Sequence, residues 1–152
     1  MQITDADRRL LRQMQAAPEL PLSDLAERAG MTAATCSRRL DKLRAAGVYE
    51  GARADINWAA LGYEVEVSLR VTLDKTQTRA FDDFIEAARD IPEVIEIQTF
   101  LGRVDVRLSI LARDMAHYQH IYRSRILTLP HIADIEALMH VAEIKANPGL
   151  PL

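Results

Sequence analysis

Apolar residues recur at helical spacing through residue 46 of this chain and at two-residue alternation from residue 64 onward. A helix presents one apolar stripe and a strand one apolar face, so no single element type buries both patterns. The chain must therefore fold as a helical part followed by a mixed part. Its 152 residues suffice, since a three-helix unit needs only about 50 and a small mixed domain fits in the rest.

In the first part, residues 5–17 read as a helix with Asp5 as N-cap and Leu10, Leu11 and Met14 at helical spacing. Pro18 and Pro21 break it. Ser23 is expected to cap a short helix over 24–29, with Leu25, Ala26 and Ala29 inward and Gly30 as its stop. Thr32 then caps a third helix, roughly 33–46, ended by Gly47. Two short helices across a tight glycine-containing turn are a helix-turn-helix pattern.

At ~100° per residue the third helix turns Cys36, Leu40, Leu43 and Gly47 to one side. Ala34, Thr35, Arg38 and Lys42 fall on the other, with Arg39 at the edge. Arg38, Arg39, Lys42 and Arg44 stand against one acid, Asp41. Arginine forks to guanine edges or phosphate, lysine reaches phosphate, and threonine meets backbone or methyl groups. A solvated charged face has the same composition; the preceding helix and turn favour DNA. The candidate contacts are Ser23, Thr32, Ala34, Thr35, Ser37, Arg38, Arg39 and Lys42.

Residues 48–63 show no sustained period and read as a short extended stretch and a linker, pinned to a neighbour by Trp58 and Leu61. From Glu64 the alternation places Val65, Val67, Leu69, Val71 and Leu73 on one face. A helix is expected over 78–90, with Phe81, Phe84, Ile85 and Ala88 at helical spacing. Strands follow at 94–101 and 103–111, joined at Gly102, then a helix at 114–127 and a strand at 134–144. Residues 91–97 and 129–135 resemble each other, and each leads from a helix into a strand. The second part is thus strand-helix-strand twice, a βαββαβ ferredoxin-like arrangement. Apolar residues on both sides of the 94–101 strand (Ile95, Ile97 and Leu101 against Val94 and Phe100) point to dimerisation through the open face of the sheet.

Composition narrows the function classes. With 49% hydrophobic and 27% charged residues the chain is not disordered. No apolar run approaches the ~18 residues of a membrane span, and the charged N-terminus lacks a signal-peptide core, so a cytoplasmic location is expected. One cysteine, Cys36, excludes an internal disulfide framework; it reads as a small core residue. At 5% aromatics a base-stacking platform is a poor guess. The net charge of −3 is uneven: residues 1–55 carry nine Lys/Arg against eight Asp/Glu, and residues 56–152 ten against fourteen. DNA binding therefore rests on clustering of the N-terminal cations.

At these residues the chain resembles the Lrp/AsnC family of bacterial and archaeal transcription regulators. Residues 3–49 are similar to its helix-turn-helix through Asp7-Arg-Arg-Leu-Leu, Leu22-Ser-Asp-Leu-Ala-Glu-Arg-Ala-Gly-Met-Thr, Cys36-Ser-Arg-Arg-Leu-Asp-Lys-Leu and Ala46-Gly-Val. The later half resembles the family's ligand-binding domain at Pro92-Glu-Val, Gly102-Arg-Val-Asp and Leu129-Pro. The tail from Lys145 to Leu152 looks like a subgroup responsive to amino acids. The resemblance implies an α+β fold: a three-helix winged helix-turn-helix domain over 1–50, a linker over 51–63, a ferredoxin-like effector-binding and oligomerisation domain over 64–145, and a tail over 146–152. It implies double-stranded operator DNA as partner, and homodimers that assemble into tetramers, octamers or 16-mers. It also implies an amino acid or related metabolite bound between C-terminal domains. Carried onto this chain, the effector loop is Leu101, Gly102, Arg103, Val104 and Asp105, with Ala137 on the last strand where many members have Thr or Ser. Gly102 would turn backbone N–H groups toward a carboxylate, and Asp105 would pair with an ammonium. Arg103 departs from the family pattern; it would clamp a second carboxylate or fill the site by pairing with Asp105. Otherwise Asp105 is a strand-end acid paired with Arg103 or Arg107.

Other candidates weigh less. His117 and His120 have a metal-compatible i, i+3 spacing but no third ligand in sequence, so a solvated helix face is the reading. His131 and His140 are isolated. No Ser/His/Asp set, phosphate loop or dinucleotide motif is present, and no cofactor, metal or catalysis is expected. Two alternatives remain: an enzyme like the siroheme decarboxylases, which resemble this family in fold, and a co-regulatory module that does not itself bind DNA. The first lacks its expected histidine segment, which here reads Ile95-Glu-Ile-Gln-Thr.

Overall fold

The computed structural model describes residues 2–146 and 149–152. Residues 147 and 148 of the expected tail lie outside the described residues. The chain forms two compact units: Met1–Asp55 with Lys145–Leu152, and Ile56–Ile144.

The first unit holds α1 (Asp5–Ala16), α2 (Leu22–Arg28) and α3 (Ala33–Ala45). Leu10, Leu25, Ala26, Ala29, Cys36, Leu40 and Leu43 form its core. Cys36 is fully buried in that core and packs as a small side chain; the burial raises its thiol pKa. Three expectations about helix ends are corrected. The cap of α1 is Thr4, not Asp5: Thr4 accepts from Asp7 N–H while Asp7 accepts from Thr4 N–H, a closed capping box. The start of α2 is set by Pro21, whose ring fixes φ at −55°, so Ser23 lies inside the helix and bonds Asp24. Gly47 is exposed rather than core-facing. It follows the end of α3 at φ +68°, the left-handed position where glycine avoids a Cβ clash. Thr32 caps α3 as expected, accepting from Thr35 N–H at 3.2 Å. Residues 50–57 are irregular. In the tail, Gln15 holds both the N–H and the carbonyl of Leu150, and Arg12 Nε donates to Leu152 O at 2.8 Å.

The second unit runs β1 (Val65–Leu73), α4 (Ala80–Arg89), β2 (Val94–Thr99), β3 (Val106–Ala112), α5 (Met115–Ile121) and β4 (Ile132–Met139). The sheet order is β2-β3-β1-β4, all antiparallel, with the two repeat strands β2 and β4 at its edges. Alternation puts Val67, Leu69, Val71 and Leu73 of β1 with Val106, Leu108, Ile110 and Ala112 of β3 on one face, against Phe84, Ala88, Tyr118, Ile121 and Ile126. No helix among the described residues is long and apolar enough to cross a membrane.

Several boundaries differ from expectation. The sequence 114–127 is not one α-helix: after Ile121 the chain widens into a π turn, Tyr122–Ile126, with Leu127 N–H bonded to Tyr122 O. The strands joined near Gly102 end at Thr99 and restart at Val106, leaving a six-residue loop. β4 ends at Met139, and Val141 and Ile144 beyond it are exposed. Phe81 is on the solvent side of α4. Trp58 precedes and Leu61 ends a single 3-10 turn, and the two side chains are 42% and 65% exposed.

The assignment of residues 94–101 to two faces is also corrected, although Ile95, Phe100 and Leu101 remain exposed. A bulge between Val94 and Glu96 advances the alternation by one residue. Val94 and Ile97 thus pair with Ile110 and Leu108 of the core face, while Glu96 and Gln98 pair with Ser109 and Arg107 of the open face. That face carries ion pairs, Arg107 with Glu96 at 2.9 Å and Arg70 with Glu136 at 3.7 Å, and His140 Nδ1 lies 3.6 Å from a Glu66 carboxylate oxygen.

Candidate nucleic-acid interface and effector loop

The four cations of α3 have different fates. Arg39 Nη1 lies 2.7 Å from Asp7 Oδ1 of α1 and donates to Thr4 Oγ1 at 3.2 Å. Asp7 is only 2% exposed. Burial alone would raise its pKa, but the Thr4 hydroxyl, the Thr4 N–H and the Arg39 guanidinium together hold it below the ordinary carboxylate value. Arg44 lies 3.8 Å from Asp41 and 5.2 Å over the ring of Tyr49. Arg38 and Lys42 pair with nothing among the described residues; both are exposed, one helical turn apart on one face.

They border an open hollow of about 500 Å³ lined also by Gln2, Thr4, Asp7, Arg39, Ala45 and Ala46. Ala34 at the start of α3 is exposed and small, so the helix backbone can approach another surface closely there. Thr35 and Ser37 are half-buried. The Thr32 hydroxyl is bound into its own cap and that of Ser23 faces Asp24. The free chemistry of α3 is thus one guanidinium fork and one ammonium, suited to base edges and phosphate.

The loop 100–105 is closed at its base by Phe100 N–H bonded to Asp105 O at 2.9 Å, and tied to β1 by Asp105 N–H to Val71 O at 2.9 Å and Thr72 Oγ1 to Arg103 O at 3.0 Å. Asp105 is 2% exposed. Its Oδ2 accepts Leu73 N–H at 2.9 Å and its Oδ1 lies 2.8 Å from Lys75 Nζ. Burial opposes ionisation, but the Lys75 bond and the Leu73 N–H outweigh it and keep the pKa low. The partner of Asp105 is therefore Lys75, neither Arg103 nor Arg107. Arg103 is exposed and its side chain is unpaired among the described residues, while Arg107 bonds Glu96. Leu101 and Gly102 are exposed and Val104 is half-buried. Ala137 is opposite Leu69 on β4. It is two strands across and three residues along from Asp105, roughly 14 Å, so one chain does not bring the two together.

Sequence reasoning missed two residues. Asp7 was findable, because Thr4 with an acid three residues later is a capping-box pattern. Lys75 carries no local signal, since its contact spans 30 residues of chain. Two of the histidines have partners in the same unit: His117 Nδ1 accepts from Arg113 N–H and its Nε2 lies 3.7 Å from Glu93, and His131 lies 3.0 Å from Asp83.

The family model of the Lrp/AsnC ligand binding domain matches residues 66–150, and that of a winged helix-turn-helix DNA-binding domain matches residues 3–48. The chain is 29% identical over 147 residues to the HTH-type transcriptional regulator Zrp of Zymomonas mobilis, covering 95% of this chain and 94% of that one. It is 30% identical over 131 residues to a proline dehydrogenase transcriptional activator of Rhodobacter capsulatus, covering 86% and 85%. A Neisseria meningitidis transcriptional regulator solved with L-methionine superposes with a TM-score of 0.90 at 25% identity, covering 99% and 97%.

Proposed function

From a chain that belongs to the Lrp/AsnC family of DNA-binding transcription regulators, we propose a specific division of labour between its residues. The chain is a regulator with an amino-acid ligand-binding domain, not an enzyme. In this reading α3 lies in the major groove, Arg38 reads a base edge or phosphate and Lys42 holds phosphate. Ala34 and Thr35 face the DNA at the helix start, and Ser23, Thr32 and Ser37 contribute backbone-side contacts. The observation that supports it is the pairing pattern: Arg39 and Arg44 are engaged within the unit, while Arg38 and Lys42 are exposed and unpaired among the described residues.

The same reading makes the protein a homodimer, or a higher assembly of dimers, which presents paired α3 helices about 34–36 Å apart to a palindromic site. A small carboxylate-bearing metabolite at loop 101–105 acts by binding one assembly or docking state more tightly than another. Ala137 enters such a site only from another copy of the chain. The supporting observation is the similar Neisseria regulator solved with L-methionine.

The test is fluorescence anisotropy of the DNA upstream of its own gene, titrated with protein at fixed salt, with and without each amino acid, alongside sedimentation of the protein. Tight, salt-sensitive binding by a dimer or larger species that a metabolite shifts is the expected result. A monomer that binds no better than to random DNA overturns the reading.

A further inference from the structure

Loop 100–105 offers its chemistry unequally. Its one acid is buried, and both oxygens of Asp105 are engaged by Leu73 N–H and Lys75 Nζ. The Lys75 side chain is 58% exposed, so its ammonium stands between that carboxylate and water. The Arg103 guanidinium is exposed and unpaired, and the N–H groups of Leu101, Gly102 and Val104 donate to nothing among the described residues. Two more acids lie at this end of the sheet. Asp74 is folded into its own turn, accepting from Thr76 N–H at 3.0 Å and Thr76 Oγ1 at 2.7 Å. Asp134, opposite Thr72, is exposed, where water screens it. What a ligand meets at the loop is therefore donors and cations.

An ammonium that approaches Asp105 must first displace another ammonium. That exchange leaves the charge pairing as it was and strands Lys75, so it provides no net attraction. A carboxylate displaces nothing. Lys75 has three N–H donors and gives one to Asp105, and Arg103 has an open fork.

We propose that Lys75 sets the charge preference of the effector loop. It neutralises Asp105 from within the chain, so the loop holds a ligand by its carboxylate and favours one whose negative charge is not cancelled by its own ammonium, a dicarboxylate or an acidic amino acid. This rests on loop 101–105 being the effector site.

Titration calorimetry on the full chain with glutarate, L-glutamate, L-glutamine and L-methionine tests it, in the native protein and in Lys75→Met and Lys75→Arg. Glutarate and L-glutamate are expected to bind, with L-glutamine and L-methionine weaker by about tenfold or more. Lys75→Met should lose about tenfold in glutarate affinity and narrow the glutamate-over-glutamine preference, while Lys75→Arg, which keeps the cation, should retain it. Neutral amino acids that bind as well as or better than the anions overturn the role of Lys75 and leave the effector loop standing, as does a Lys75→Arg protein without the preference. Failure of all four ligands to bind overturns the effector-loop reading together with it.

Discussion

Arg39 of α3 and Asp7 of α1 form a 2.7 Å ion pair that ties the third helix to the first. Asp7 is buried and also belongs to the capping box of α1, so this pair joins a helix end to a helix face. Removing Arg39 leaves a buried carboxylate with Thr4 alone. Arg39→Ala is expected to destabilise the first unit by about 1–3 kcal/mol, as seen by chemical denaturation. A stability unchanged within error would mean that Thr4 and water satisfy Asp7 without it.

The same pair fixes a pH dependence. The pKa of Asp7 is lowered in the folded state, so its contribution is fully present above the unfolded value of 3.8 and is lost as pH falls through the folded value. Asp105 has the same sign, through Lys75 and Leu73. Stability should therefore decline below about pH 4, and Asp7→Asn should flatten the part of that decline that belongs to the first unit. An acid limb identical to that of the native protein would contradict the assignment.

Three hydroxyls near helix starts differ in role: Thr4 and Thr32 cap helices and Ser23 does not. Thr4→Ala and Thr32→Ala each remove a side-chain acceptor at a helix start and should cost about 1 kcal/mol. Ser23→Ala removes a hydroxyl inside α2 and should change stability by less than about 0.5 kcal/mol. Equal losses in thermal melts of all three variants would place a cap at Ser23 after all.

The second unit has its own core, in which Phe84 of α4 is fully buried against β1 and β3. Phe84→Ala should destabilise that unit by about 3–5 kcal/mol. Monitored by hydrogen exchange, the first unit's core amides, such as those of Leu10 and Leu43, should lose much less protection than those of Leu69 and Ile110.

The strong periodicities told most about the fold. The alternation of β1 and the inward stripe of Cys36, Leu40 and Leu43 are local patterns, and both stand in the structure. Misreadings cluster where a local pattern competes with pairing. The bulge in β2 moved Val94 and Ile97 to one face, and the apolar residues Val141 and Ile144 lengthened β4 on paper although they are 94% and 93% exposed. In the candidate interface, the cation cluster of α3 was visible as composition, but its split into bound and free members was not. That split depends on Asp7, 32 residues from Arg39, and no periodicity encodes such a contact. Lys75 was hidden from the loop for the same reason.

The reading of α3 is tested most directly by anisotropy of promoter DNA with the native protein, Arg38→Ala and Lys42→Ala across a salt series. Arg38→Ala is expected to weaken binding by about 1–3 kcal/mol if its fork meets a base, and Lys42→Ala to lower the salt slope by about one phosphate contact, both with unchanged thermal melts. Native affinity and native salt slope in both variants would contradict the account and move the DNA-reading surface away from this face of α3.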